Sequence, residues 1–372
     1  MTDVRAEARI DLAAIRHNAA TLARAAGTAR LMAVVKADGY GHGAVPVARA
    51  ALEAGTPALA VATAREAETL RAAGIDAPLL VMGPLTGGEW ALAASTGAEV
   101  AAWTPEGVAA AAAAGCRGVH LKLDTGMGRL GARPEDVAAL AAAAEVAAAG
   151  GSTTVAGLMS HFATADETAG ENAGFMREQL LRFRAAVADL RPRFPGAVVH
   201  VANSAATLRE PGAAFDMVRC GIALYGCSPF GGDPAAHDLR PAMSLCSYVA
   251  SVKTLRSRES AGYGRRWRAA RGTRIALVPV GYADGYARAL SDGGAEVLVG
   301  GRRVPVVGSV SMDQFTVDLG PEGTEAVGDE VVLLGAQGDG RITAEDVAGW
   351  RGTINYEVTC AVSPRVPRVH TG

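Results

Sequence analysis

The chain has 372 residues, more than one ordinary core usually holds, so a large α/β barrel with a smaller companion domain is the natural expectation. Hydrophobic residues make up 49% and charged residues 20%, the balance of a soluble globular protein. A net charge of −2 advertises no basic face, which argues against nucleic acid or an anionic membrane as partner.

The N-terminal stretch MTDVRAEARIDLAAIRHNAATLA has no apolar segment behind a basic one. No later apolar run reaches about 18 residues without charge, Pro or many Gly and Ala. A cytoplasmic enzyme is therefore expected. Cys116, Cys220, Cys227, Cys246 and Cys360 are odd in number, scattered and free of any CxxC pair. They suggest neither a disulfide framework nor a zinc or other metal site. Cys220 reads as a small buried hydrophobe.

In chain order, residues 1–8 precede a helix capped near Asp11 and could add a strand to a later sheet. Apolar runs then recur at LMAVVKADGYG from Leu31, ALAVAT from Ala58, PLLVMG from Pro78, AEVAAW from Ala98 and VHLKLDTG from Val119. VAGLMSHFA from Val155, VVHVANSA from Val198 and DMVRCGIALYG from Asp216 continue the series. Helical stretches lie between them. In AGFMREQLLRFRAAVADL, Phe175, Leu180, Phe183 and Val187 fall near helical spacing. The Ala-rich stretches at 109–114 and 138–149 read as helices, since alanine is the best helix former.

Buried parallel strands read as continuous apolar runs, and about eight βα units predict a closed (β/α)8 TIM-type barrel over residues 9–240. No GxGxxG opens a helix after the first strand, which argues against a doubly wound sheet. After Pro241 the rhythm changes to strand-like runs joined by Gly-rich turns. Residues 241–372 are expected to form a mostly antiparallel β domain.

Active sites on such barrels form at the C-terminal ends of the strands, where the polar residues of this chain cluster. Lys36 ends an apolar run. A buried ammonium without a partner is costly, so the lysine is either neutral, as a Schiff base requires, or paired with a carboxylate. Asp38 is the carboxylate close in sequence. VHLKLDTGMGRLG places Arg129 in a Gly-rich loop, where a guanidinium can clamp a carboxylate with two hydrogen bonds. HVANSAA offers Asn203 and Ser204 at a strand end. DMVRCGIALYG places Arg219 on the last barrel strand, followed by Gly221 and Ile222, whose backbone N–H groups could bind a phosphate. A lysine on one strand and a phosphate nest across the barrel match the two ends of pyridoxal phosphate.

AVVKADGYGHG, LDTGMGRLG, SHFATADE, HVANSAA, MVRCGIALYG, AGYG, GYADGY, SMDQ and TINYE stand in the order and spacing of alanine racemase, and the chain resembles that family over essentially its whole length. The resemblance implies pyridoxal phosphate as cofactor and interconversion of L- and D-alanine by two bases at the α-carbon. The implied role is supply of D-alanine as a peptidoglycan precursor. Lys36 matches the cofactor-holding lysine and first base. Tyr263 matches the second base, which the family takes from the neighbouring subunit of a homodimer. Tyr40, Ser204, Gly221, Ile222 and Tyr356 match phosphate-binding positions, and Arg219 the arginine that faces the pyridine nitrogen. An always-charged arginine there keeps that nitrogen unprotonated and the ring a weak electron sink.

A tyrosine with an ordinary pKa of about 10 needs cationic neighbours to act near neutrality. His161, Arg219 and His200 could form that neighbourhood through hydrogen bonds, with His161 and His200 read as support; His161 and Asn203 are also read as cofactor contacts. Arg129 and the Met312 N–H resemble the contacts to the substrate carboxylate, with Asp313 in the same segment. Lys122 matches a lysine that carries a carbamate in many members and orients Arg129; otherwise it pairs with Asp124. Asp166 and Tyr282 resemble residues of the access corridor. The chain departs from the family at Gly308–Ser311, where an arginine is common; Ser309 and its neighbours alter the charge of the corridor. Racemisation of serine or of several amino acids is the alternative activity. A decarboxylase of the same architecture typically places an acidic residue where Arg219 stands, and a lone cofactor-binding barrel needs neither Tyr263 nor the β domain.

Overall fold

The fold, a computed structural model, is described for residues 4–291 and 293–372. It divides into two compact units. One comprises Ile15–Leu224 and His237–Leu239; the other comprises the chain up to Ala14, Tyr225–Ala236 and Arg240–Gly372. Residues 1–3, part of the stretch expected to add a strand, lie outside the described residues.

A first strand, β1 (Glu7–Asp11), belongs to the second unit. Asp11 closes it and caps the helix Leu12–Ala26, its Oδ1 accepting from the N–H groups of Ala13 (2.8 Å) and Ala14 (3.1 Å).

The barrel follows: β2 (Arg30–Val34), β3 (Ala58–Val61), β4 (Leu79–Val81), β5 (Glu99–Ala102), β6 (Gly118–Lys122), β7 (Thr154–Met159), β8 (Val198–His200) and β9 (Met217–Cys220). All their ladders are parallel, and β9 returns to pair with β2. The β8–β9 seam carries single backbone bonds, from Asp216 N to Val199 O at 3.1 Å and from Arg219 N to Ala202 O at 2.9 Å. Each apolar run read from the sequence forms one of these strands. They are buried almost continuously because helices cover the outer face while side chains fill the interior. The Ala-rich stretches lie in the helices Pro105–Ala114 and Val137–Ala149. Thr63 and Thr104 start their helices by accepting the N–H three residues on. On helix Phe175–Leu190, Leu180, Phe183 and Val187 are buried as their spacing predicts. Phe175 sits at the rim, its ring 5.5 Å from the Arg182 guanidinium carbon.

The second unit is a strand-rich layer: β10 (Met243–Tyr248), β11 (Ser251–Leu255), β12 (Ser260–Ala261), β13 (Trp267–Arg268), β14 (Thr273–Val278), β15 (Glu296–Val299), β16 (Arg302–Val307), β17 (Phe315–Gly320), β18 (Glu330–Gln337), β19 (Gly340–Ile342) and β20 (Arg368–Thr371). The main sheet runs β11-β14-β17-β16-β15-β18-β10-β1-β20, with β19 hung on β18. Its ladders are antiparallel except β1 with β20. Along β17 burial alternates residue by residue, the mark of a strand with one covered face. Among the described residues no helix is long and apolar enough to cross a membrane.

Candidate active site

The strand carrying Lys36 stops at Val34, two residues earlier than an extended reading of the motif requires. The chain then turns left-handed through Ala37 (φ 52°), Asp38 (φ 51°), Gly39 (φ 62°) and Tyr40 (φ 51°). A left-handed turn costs roughly 1–2 kcal/mol for each residue with a Cβ. Two carboxylates hold it: Glu66 Oε1 accepts from Ala37 N at 2.7 Å, and Asp38 Oδ1, within the turn, accepts from Ala44 N at 2.8 Å. Asp38 is therefore committed to capping the next helix. The turn brings the Tyr40 ring back under Lys36, whose Nζ lies 6.0 Å from the ring centre. Backbone strain of this kind concentrates at functional sites.

Tyr40 lies over the start of the turn after β9. A Cβ on Gly221 would lie 2.3 Å from the Tyr40 hydroxyl, so only glycine allows that approach. Ser204 Oγ accepts from Gly221 N (3.1 Å) and Ala223 N (3.3 Å). A 3-10 turn begins at Ile222, whose N–H has no earlier carbonyl within the turn to reach. Two hydroxyls and a row of backbone N–H groups thus converge on one small volume, a donor set suited to phosphate. Asn203 caps the helix Ser204–Arg209, its Oδ1 accepting from Ala206 N at 3.0 Å.

Arg219 is buried. Its NH1 donates to His200 Nδ1 (2.8 Å) and His200 O (3.0 Å), and its NH2 to Ser160 O (2.8 Å), His161 Nδ1 (3.2 Å) and Val201 O (3.4 Å). Burial brings its pKa down to about 10, which leaves it charged at neutrality. Burial and the Arg219 charge hold both His161 and His200 well below the usual imidazole range, so both are neutral. Burial pushes the Cys220 thiol next to it up to about 12, in keeping with an inert packing residue. His200 also reaches His120, and His120 reaches Glu99. Sequence reading passed over this pair, although His120 stands two residues before Lys122 on the same strand and thus on the same face.

Lys122, at the end of β6, is buried and brought down to about 8 by desolvation, with Arg219, Arg129 and Lys36 adding repulsion. The loop after it folds back through Asp124 N to Ala132 O and Ala132 N to Lys122 O, both 2.8 Å. Asp124 Oδ1 accepts from Gly126 N (2.9 Å) and Gly128 N (3.1 Å), so its carboxylate shapes the loop. Arg129 stands exposed on that loop. Asp166 is exposed in the loop after β7, whose Ala165 and Glu167 carbonyls accept from Arg209 NH1. Lys36, Lys122, His161, Asn203, Ser204, Arg219, Gly221 and Ile222 thus share the C-terminal strand ends of the barrel unit.

The other predicted residues lie in the second unit. Tyr263 stands 75% exposed in the tight connection between β12 and β13, with its carbonyl accepting from Ser309 Oγ at 3.3 Å. Met312 and Tyr282 are likewise exposed, and their backbones are joined by Tyr282 N to Ser311 O (3.1 Å) and Ala283 N to Met312 O (3.0 Å). Asp313 accepts from Arg365 NH2 at 2.7 Å, and Arg365 Nε lies 3.3 Å from the buried Asp284. Tyr356 is half-buried on the helix Asn355–Cys360.

The models of the alanine racemase N-terminal and C-terminal domains match residues 10–229 and 242–370. The alanine racemase of Symbiobacterium thermophilum is 46% identical over 98% of this chain and 97% of its own. The structure of alanine racemase from D-cycloserine-producing Streptomyces lavendulae superposes with a TM-score of 0.93 at 45% identity, covering 100% of this chain and 98% of that one. That of Streptomyces coelicolor gives 0.92 at 44% identity over 99% and 98%. Matched in both halves and along its whole length, the chain belongs to the alanine racemase family, the amino-acid-racemising isomerases.

Proposed function

We propose that the protein interconverts L-alanine and D-alanine with pyridoxal phosphate, working as a cytoplasmic homodimer that supplies D-alanine for peptidoglycan precursors. Pyridoxal phosphate, when bound, supplies the electron sink that acidifies the substrate α-carbon. The observation that carries the reading is the pairing of a lysine with an anion cradle: Lys36 above the Tyr40 ring, and the Tyr40 hydroxyl over a glycine that leaves it room. The donor set of the barrel unit fits the cofactor's phosphate, with Tyr40, Ser204 and the N–H groups of Gly221 and Ile222 holding it; the family resemblance adds Tyr356 as a further phosphate contact.

Arg219, charged at neutrality, would face the pyridine nitrogen of the bound cofactor and keep that nitrogen unprotonated. His161 and His200 accept from the guanidinium and hold it, and Asn203 would border the bound cofactor. Arg129 clamps the substrate carboxylate, Met312 adds its N–H from a partner subunit, and Lys122 orients Arg129. A lysine brought down to about 8 offers a neutral amine at neutral pH, the form that takes up carbon dioxide as a carbamate. Lys36 holds the α-proton on one face, and Tyr263 of a partner subunit holds it on the other, with Asp313 steadying the Met312 segment. Asp166 and Tyr282 border the substrate's path.

Incubation with L-alanine and, separately, with D-alanine tests this: both should reach an equal mixture. No D-alanine from L-alanine after prolonged incubation of cofactor-loaded protein would sink the reading. Comparable turnover of L-serine would assign the broader specificity, because one hydroxyl in a pocket is worth only about 1–3 kcal/mol.

A further inference from the structure

Four side chains link the C-terminal strand ends to the opposite mouth of the barrel. Arg219 NH1 lies 2.8 Å from His200 Nδ1, His200 Nε2 lies 2.7 Å from His120 Nδ1, and His120 Nε2 lies 2.8 Å from Glu99 Oε2. Glu99 opens β5 and borders a cavity of about 230 Å³ lined also by Arg30, Pro57, Pro78 and Met217. That cavity sits where the strands begin, and Lys36 follows the end of one.

The chain has one possible polarity. A guanidinium has no acceptor, so Arg219 must donate to His200 Nδ1. His200 then carries its proton on Nε2 and donates to His120 Nδ1. His120 in turn carries its proton on Nε2 and donates to the carboxylate of Glu99. Each link settles the next, and both imidazoles are neutral Nε2–H tautomers. His120 and His200 are 2% and 0% exposed, so the protein's own groups set this order.

The sheet makes room for it at two glycines. A Cβ on Gly157 would lie 2.2 Å from His120 Nδ1, and one on Gly118 would lie 2.8 Å from Ala156 Cβ and 3.3 Å from Glu99 Cγ. The β6–β7 ladder shifts register between Val119 and His120 at the same place. Among the described residues, the acceptors of Arg219 are two imidazole nitrogens and three carbonyls, none a carboxylate. Its nearest counter-charge along the chain is Glu99, two imidazoles away. The His120 N–H holds the Glu99 carboxyl below the usual carboxylate range, so that counter-charge is present at neutrality.

We propose that Glu99 and His120 are positioning residues of the active site: with His200 they form a one-directional hydrogen-bond chain that fixes both tautomers and holds the Arg219 guanidinium aimed at the cofactor. The assignment of Arg219 to the cofactor rests on the function proposed above; the tautomer chain does not.

The test uses cofactor-loaded protein with nitrogen-15 in its histidine rings. In the wild type, His120 and His200 should both show a bare Nδ1 and a protonated Nε2. Glu99→Ala should lose that signature in at least His120, shift the visible absorbance of the bound cofactor, and lower kcat about tenfold with KM within about threefold, the scale of outer-shell losses. Glu99→Gln still offers an oxygen to the His120 N–H and should keep the tautomers and most of kcat. Gly157→Ala, which removes no ionisable group, should reproduce the Glu99→Ala signature. A proton on Nδ1 of either ring in the wild type, or wild-type kcat and absorbance in Glu99→Ala, would overturn the inference. If the wild type fails to racemise alanine, the functional reading fails. The ring spectra of wild type and variants then still decide whether the chain exists.

Discussion

Neutral, buried histidines leave a mark on stability that can be read without any assay of turnover. His200 is held well below the ordinary imidazole pKa of 6.5 by burial and by Arg219. Below pH 6.5 the unfolded chain binds a proton there that the folded chain does not, so stability falls as pH falls. The slope is about 1.4 kcal/mol per pH unit for one such group. Urea unfolding between pH 6.5 and 5 should therefore show a shallower pH dependence in His200→Asn, by about that amount per pH unit. An identical slope in both proteins would mean His200 takes up its proton in the fold. Lys122 acts in the alkaline range. Its folded pKa of about 8 lies below the ordinary 10.5, so the unfolded chain binds more protons between those values and stability gains from Lys122 as pH rises. Replacing it with Met should flatten that gain, measured the same way.

At the scale of the element, the site depends on short connections whose geometry leaves no space for a side chain. The segment bearing Met312 is pinned by the backbone of Tyr282 and Ala283. A Cβ on Gly281 would lie 2.3 Å from the carbonyl oxygens of both Ser311 and Met312. The φ of Gly281 is −149°, so any residue could adopt its backbone; the constraint is space alone. Gly281→Ala should displace the Met312 segment and cost roughly 1–3 kcal/mol of stability, the usual range for overpacking. KM for alanine should rise, because the displaced N–H is a proposed carboxylate contact. A Gly281→Ala protein with unchanged melting and unchanged KM would remove Met312 from the substrate's surroundings. The left-handed turn after Lys36 is held in the opposite way, by carboxylates of Glu66 and Asp38 that accept from its neighbourhood. Such anchors compensate for a conformation that Ala37, Asp38 and Tyr40 do not favour.

At the scale of the molecule, the predicted bases lie in different compact units, Lys36 in one and Tyr263 in the other. Tyr263, Met312 and Tyr282 are exposed at 75%, 53% and 43%. In the homodimer proposed above, a second copy of the chain would cover these residues. Mixing Lys36→Ala subunits with Tyr263→Phe subunits tests it. Random exchange makes half of the dimers mixed, each with one intact composite site of two, so about one quarter of wild-type activity should return. No recovery after confirmed exchange would place both bases within one chain.

Taken alone, the sequence determined the architecture, because parallel barrel strands must be apolar throughout while one-sided antiparallel strands alternate. That difference is visible in the runs before and after Pro241. It also determined which polar residues cluster, since a lysine, two arginines and a Gly-rich phosphate turn at strand ends have few structural uses. Tertiary structure decided what periodicity cannot express. Lys36 is followed by a left-handed turn instead of a continuing strand, and Glu66 and Asp38 hold that turn by accepting from Ala37 N and Ala44 N. Asp124 and Asn203 proved to be loop and helix caps, a choice between local hydrogen bonds that a residue's identity leaves open. Glu99 and His120 were invisible as a pair, since their link to Arg219 crosses from β5 and β6 past Gly157 of β7 to β8 and β9. Their chemistry exists only once the sheet has closed and two glycines have left them space.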